Sequence, residues 1–154
     1  MLWQGNNRLF FMFIGEYHHN IDEKGRLAVP AKFRQDLAQG AVVTRGLDSS
    51  LFLLPWEEWG KFTDKLSDLP LGRASSRAFT RLMLAGAMEV KLDKQGRFVI
   101  PDYLRKYAGI SKTAVIVGVN SRIELWDKSA WETYTSQTEE DANEIAEQLG
   151  ELGI

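Results

Sequence analysis

Apolar and polar positions along this chain fall into short strand-like runs, and the same succession of runs occurs twice. In the first stretch Glu16–Asp22 reads as a strand, Lys24-Gly25 as a tight turn and Leu27–Val29 as a short second strand. Glycine fits such a turn because it adopts positive φ without a steric penalty. Pro30 suits the first turn of a helix, Ala31–Ala38, that closes at Gly40. Ala41–Thr44 is rich in β-branched residues, Asp48-Ser49-Ser50 is a turn, and Leu51–Leu54 is a further strand. The second stretch predicts the same order: a strand over Glu89–Leu92, a turn, Phe98–Ile100, a helix from Pro101 to about Tyr107, Ala114–Val117, a turn, and Ile123–Trp126.

Between the two stretches the period changes to that of helices. Trp56, Trp59, Phe62, Leu66 and Leu69 mark one apolar face, and a second helix, roughly Arg73–Ala87, carries Ala78, Leu82 and Ala85 on one side. After the second stretch a helix starts at Ala130–Tyr134, and Ala142–Leu152 reads as another with Ile145, Leu149 and Leu152 aligned.

The succession is a true internal repeat. Asp22-Glu23-Lys24-Gly25-Arg26-Leu27-Ala28-Val29-Pro30 returns 71 residues later as Asp93-Lys94-Gln95-Gly96-Arg97-Phe98-Val99-Ile100-Pro101. Across the 15 positions starting at Asn20 and Lys91, five are identical: the Asp, Gly, Arg, Pro and a trailing Arg (Arg34 and Arg105). Gly46-Leu47-Asp48, Leu51, Leu53 and Trp59 correspond at an offset of 72 to Gly118-Val119-Asn120, Ile123, Leu125 and Trp131. A charged turn carried twice reads as a repeated surface grip rather than as an active site. The segments are then a poorly ordered N-terminal extension (1–11), a first repeat (12–59), linking helices (60–88), a second repeat (89–131) and an acidic helical tail (132–154).

At 154 residues the chain can bury a substantial core. It has no cysteine, which removes disulfides, cysteine zinc sites and thiol nucleophiles. No apolar run reaches the roughly 18 residues a membrane helix needs, so no membrane partner is expected. The N-terminus has no long apolar core followed by a cleavage site, which argues against a secretory signal. Net charge is −2, yet it is unevenly spread: seven of the 21 acidic residues lie from Glu132 onward, where there is no Lys or Arg. The preceding residues hold all 19 basic side chains against 14 acidic ones, a net of +5. A basic body with an acidic tail is compatible with a nucleic-acid partner.

The order strand, turn, strand, helix, strand, turn, strand with a D-x-x-x-R turn resembles the SpoVT/AbrB superfamily of swapped-hairpin DNA-binding proteins. Two copies, DEKGRLAVP and DKQGRFVIP, with a helical hairpin between them and a helical C-terminus, resemble the MraZ family over roughly residues 12–140. The resemblance implies an α+β fold of two pseudo-repeated swapped-hairpin units, a small barrel, with linking and C-terminal helices. It also implies a transcriptional regulator of the division and cell-wall gene cluster that contains its own gene. Such a protein is a ring-shaped homo-oligomer in the cytoplasm, associated with the nucleoid, and binds repeated operator boxes in double-stranded DNA near its promoter.

The residues themselves admit that chemistry. The guanidinium groups of Arg26 and Arg97 are planar forks suited to phosphate or to the O6/N7 edge of guanine. Lys24 and Lys94 add point charges, and Gly25 and Gly96 draw the strands together. Repeat two has Gln95 where repeat one has Lys24, so Lys24-Gly25-Arg26 is the favoured principal contact and Arg97 a secondary or structural one. Asp22 and Asp93 structure the turn or an interface, accepting N–H groups of their own turn or pairing with an Arg in the same or the other copy. Arg34 and Arg105 are secondary phosphate contacts or exposed helix charges. Arg73, Arg77 and Arg81 recur at every fourth position, as a stripe for phosphate, a subunit or solvent.

No cofactor is expected. Glu16 and His18 share a strand face, but two ligands make a poor metal site, so no metal is expected either. Trp56, Trp59, Trp126 and Trp131 are read as core, with base stacking as the other possibility. The rival readings are an oligomeric protein-interaction scaffold with no DNA role and, further off, a hydrolase using Asp22 or Asp93.

Overall fold

The computed structural model describes residues 12–153, so the N-terminal extension lies outside the described residues. Two strands and a helix open the first half: β1 (Phe13–Asn20), β2 (Arg26–Ala28) and α1 (Ala31–Leu37). β3 (Ala41–Arg45), β4 (Leu51–Pro55), α2 (Trp56–Ser67) and α3 (Ala74–Ala85) complete it. The second half repeats the order with β5 (Met88–Val90), β6 (Arg97–Val99), α4 (Asp102–Ala108), β7 (Thr113–Asn120), β8 (Arg122–Asp127) and α5 (Lys128–Glu140). α6 (Ala142–Leu149) and a 3-10 turn over Gly150–Leu152 end the chain.

The architecture is α+β, and its strands are exchanged between halves. The main sheet runs β1-β7-β8-β4-β3-β5, and β2 with β6 forms a separate two-stranded ladder. Thus β1 of the first half pairs antiparallel with β7 of the second, from Phe13 opposite Asn120 to Asn20 opposite Thr113. Reciprocally, β5 pairs with β3 of the first half. The halves meet where Phe52 stands opposite Glu124 at the centre of the sheet and where Leu27 stands opposite Phe98 in the ladder. Both pairs join repeat-equivalent positions, so an approximate two-fold axis passes through them.

One core lies between sheet and ladder. Leu27, Val29, Phe33 and Leu37 from the first half and Phe98, Ile100, Leu104 and Ala108 from the second fill it with Leu51, Leu53, Ile116, Ile123 and Leu125 of the sheet. Each large side chain so buried contributes about 1.5–3 kcal/mol. Phe33 anchors β1 through edge-to-face contacts with Phe13 and Tyr17, at centroid distances of 5.2 and 5.5 Å. A second cluster on the outer side of the sheet packs the linking hairpin: Phe52 and Leu54 meet Leu66 and Met83. The Thr44 hydroxyl fastens it by donating to the Met83 carbonyl at 2.6 Å.

Several boundaries differ from those the sequence suggests. β1 begins at Phe13 and stops at Asn20 because it follows its eight-residue partner β7, while Asp22 is drawn into the turn. β5 shifts to Met88–Val90, limited by its three-residue pairing with β3. Pro30 and Pro101 precede their helices with extended ψ of 137° and 143°, as residues without an N–H to give. α4 closes on Gly109, which is left-handed at φ 64°. α3 ends at Ala85 and α6 at Leu149, both earlier than the periodicity suggests. Trp126 is buried but Trp56 is 51% exposed, because Trp59 and Phe62 already fill the hairpin side of α2.

Candidate nucleic-acid interface

The two charged turns are built alike by their aspartates. Asp22 Oδ1 accepts the backbone N–H of Lys24 and of Arg26, each at 2.9 Å. Its Oδ2 accepts Arg26 Nε at 2.6 Å. Asp93 Oδ1 accepts the N–H of Gln95 and Arg97 at 2.9 Å, and its Oδ2 accepts Arg97 Nε at 3.0 Å. Bonds from the N–H of Arg26 and of Arg97 are the leading reason that both carboxyls are held below the ordinary carboxylate range. Both carboxylates are thus engaged within their own turns. Gly25 and Gly96 take φ of 79° and 76°, where a side chain is strained.

Each turn is then locked by the opposite half. Val29 N–H donates to the Gly96 carbonyl and Ile100 N–H to the Gly25 carbonyl, both at 2.9 Å. Arg34 packs on Gly96 and Arg105 on Gly25. These two arginines are therefore half-buried braces across the pseudo-two-fold rather than free helix charges. Arg34 Nε donates to the Val29 carbonyl at 2.8 Å, whereas Arg105 Nη2 donates to Asp102 at 3.2 Å. The crossing is invisible in a linear sequence, although an Arg four residues past Pro in both repeats was a signal that the position matters.

Alternation along the ladder sends Leu27 and Phe98 into the core and the flanking residues out. Arg26 faces Val99 and Arg97 faces Ala28, so the outer surface presents two arginines on a diagonal beside two small apolar side chains. Val99 is 51% exposed. Among the described residues each guanidinium spends only Nε in a hydrogen bond, which leaves its Nη groups available. Arg97 Nη1 also lies 4.0 Å from Asp22 Oδ2, linking the two turns. Lys24 and Lys94 stand exposed on the turns. A two-stranded ribbon of this kind has the width to enter a DNA major groove. The structure thus brings Arg26 and Arg97 to one surface, with Lys24 and Lys94 exposed on the turns that lead into it; Ala28 and Val99 join the arginines there without having stood out in the sequence.

The remaining candidates lie elsewhere. Arg77 and Arg81 border a groove of about 330 Å³ on the α2–α3 hairpin with Leu66, Leu69 and Leu71. Arg77 Nη1 donates to the Leu71 carbonyl at 3.1 Å, and Arg73 precedes α3. His18 and Glu16 pair with each other at 2.9 Å, a contact that lowers the Glu16 pKa. No group of three or more potential metal ligands occurs among the described residues. No described helix is long and apolar enough to cross a membrane.

Exchanged strands, a shared two-stranded ladder and paired Asp–Arg turns define a duplicated swapped-hairpin protein of the SpoVT/AbrB kind. The MraZ protein family model matches residues 12–82 and again residues 83–151. The chain belongs to the MraZ family. It is 46% identical over 143 residues to the transcriptional regulator MraZ of Moorella thermoacetica, covering 93% of this chain and 100% of that one. It is 48% identical over 141 residues to the transcriptional regulator MraZ of Desulforamulus reducens, covering 92% and 99%. A Thermoanaerobacter protein of the same name is 48% identical over 143 residues, covering 93% and 100%.

Proposed function

We propose that this protein is a sequence-specific DNA-binding transcriptional regulator that represses the promoter of its own division and cell-wall gene cluster. The observation that carries this reading is the outward ladder face, where Arg26 and Arg97 stand on one rigid ribbon with Nη donors unspent. The names of its relatives point the same way. Arg26 and Arg97 read base edges or phosphate, and the lysines of the turns hold backbone phosphates. Asp22 and Asp93 position the arginines.

One ribbon buries little surface, so the reading includes a ring-shaped oligomer that sets several ribbons on repeated operator boxes in the nucleoid. Linked contacts multiply modest affinities. Surfaces for copies to meet are present. Leu71 is 81% exposed beside Arg77 and Arg81, while α6 exposes Ile145 and Leu149 among acidic residues. Opposite charge on two different apolar surfaces suits a head-to-tail contact, the kind that closes into rings.

The test is fluorescence anisotropy with duplex DNA from upstream of the gene against scrambled duplex, at low and physiological salt, with light scattering in parallel. Tight binding to the upstream duplex alone, lost in Arg26→Ala and Arg97→Ala while assembly persists, is the expected result. Loss of assembly in those variants, without DNA binding by the wild type, would make the turns subunit contacts and the protein a scaffold.

A further inference from the structure

The approximate two-fold axis relates the backbones of the two turns but not their charges. Beside the second turn lies an open groove of about 400 Å³ lined by Arg34, Lys91, Lys94, Asp93 and Gly96. It holds three cations and one carboxylate, and that carboxylate is already engaged by Gln95 N–H, Arg97 N–H and Arg97 Nε. Among the described residues none of the three cations is in an ion pair; Arg34 donates only to a backbone carbonyl.

The equivalent positions at the first turn are different in kind. Arg105 stands for Arg34, Asn20 for Lys91 and Glu23 for Lys94. Arg105 is paired with Asp102, which also takes Lys106 at 3.2 Å; the first-half equivalent of Asp102 is Ala31, so Arg34 has no such acid beside it. Two cations are therefore replaced by a neutral and an anionic side chain, and the third shares its carboxylate with Lys106, which stands where the first half has Gln35. Lys24, in the place of Gln95, and Lys106 each return one charge to the first turn, but Asp102 and Glu23 offset them, so the second turn keeps the excess of positive charge. This reverses the ranking that Lys24 and Gln95 alone suggest.

We infer that the groove formed by Arg34, Lys91 and Lys94 is a phosphate-binding site, and that the second turn is the stronger DNA-backbone anchor of the ribbon. The inference rests on the DNA-binding reading above and adds to it which end of the ladder holds the backbone. The groove adjoins Arg97 through Gly96, so a strand whose bases meet the ladder passes a phosphate beside it. Lys91 and Lys94 are exposed and hold no part of the core, which lets charge be changed there without touching the fold.

The experiment compares Lys91→Gln/Lys94→Gln, Lys24→Gln and Glu23→Lys on the upstream duplex across a salt series, with thermal melts to confirm folding. Each phosphate contact contributes about 0.9 to the slope of log affinity against log salt. The double variant is expected to lose about 1.8 of that slope and on the order of tenfold or more in affinity at physiological salt. Lys24→Gln loses less, and Glu23→Lys, which rebuilds the missing charge at the first turn, tightens binding. A wild type that binds while Lys24→Gln costs as much as the double variant overturns this inference alone. A wild type that binds no duplex overturns the DNA reading and this inference with it.

Discussion

The turn of residues 22–26 and the turn of residues 93–97 share their backbone and differ in almost everything the backbone does not require. Both keep the Asp that accepts two N–H groups, the Gly at positive φ and the Arg whose Nε returns to the Asp. Both receive an arginine from the far half. Glu23 and Lys94, by contrast, occupy one position with opposite charge, and Lys24 and Gln95 another. Identity persists where a group is used twice, in its own turn and as a support for the other half. It lapses at exposed positions, where a change of charge leaves the turn standing and alters what the surface attracts.

The largest effect should come from removing what the turns share. Leu27 and Phe98 face each other across the ladder with 0% and 3% exposure. Phe98→Ala is expected to cost about 3–5 kcal/mol and Leu27→Ala about 2–5 kcal/mol, in one cooperative urea transition for both halves. A loss below about 1 kcal/mol at either position would detach that strand from the common core.

The glycines should then separate the two turns. Gly25→Ala and Gly96→Ala each place a side chain at positive φ, at about 1–2 kcal/mol. At Gly96 the new Cβ would also stand 2.5 Å from Arg34 Cζ, against 3.3 Å between Gly25 and Arg105 Cζ. A double-mutant cycle of Gly96→Ala with Arg34→Ala should give a coupling of about 0.5–3 kcal/mol. The cycle of Gly25→Ala with Arg105→Ala should give a smaller coupling, and equal couplings would erase the distinction.

The smallest effect is that of the aspartates. Their folded pKa values are depressed, so their contribution is fully present above the ordinary Asp range of about pH 4. It is lost as pH falls through the lower folded values. Asp22→Asn and Asp93→Asn should each lower the melting temperature slightly at neutral pH and flatten its decline in acid. The shift should be larger for Asp22, whose Oδ2 faces Arg97 as well as Arg26. A decline in acid as steep as that of the wild type would show that the turns do not depend on these charges.

Much of this was legible beforehand because the signals are local. The repeat, the Asp–Gly–Arg turns and the helix after each Pro follow from residue type and short spacing. Which strands pair was not legible: nothing in Phe13–Asn20 names β7 as its partner, and nothing in Met88–Val90 names β3. The crossing of Arg34 and Arg105 follows from that exchange and was equally hidden. Trp56 sat at helical spacing with Trp59, yet a twelve-residue helix lying on a sheet buries only one stripe. The charge of the second turn was readable from Lys91 and Lys94, but their convergence with Arg34 in one groove needed three dimensions.

The strand order β1-β7-β8-β4-β3-β5 reads the same from either end once the halves are exchanged. Two separate identical chains could build such a sheet, but they would have to present the same groups at both ends of the ladder. Joining the halves through α2 and α3 lifts that obligation, and the ladder has a lysine-rich end and a glutamate-bearing end. A symmetric ribbon is blind to orientation, since turning it around changes nothing. This one has a direction, and any duplex laid along it meets a different surface when its sequence is reversed.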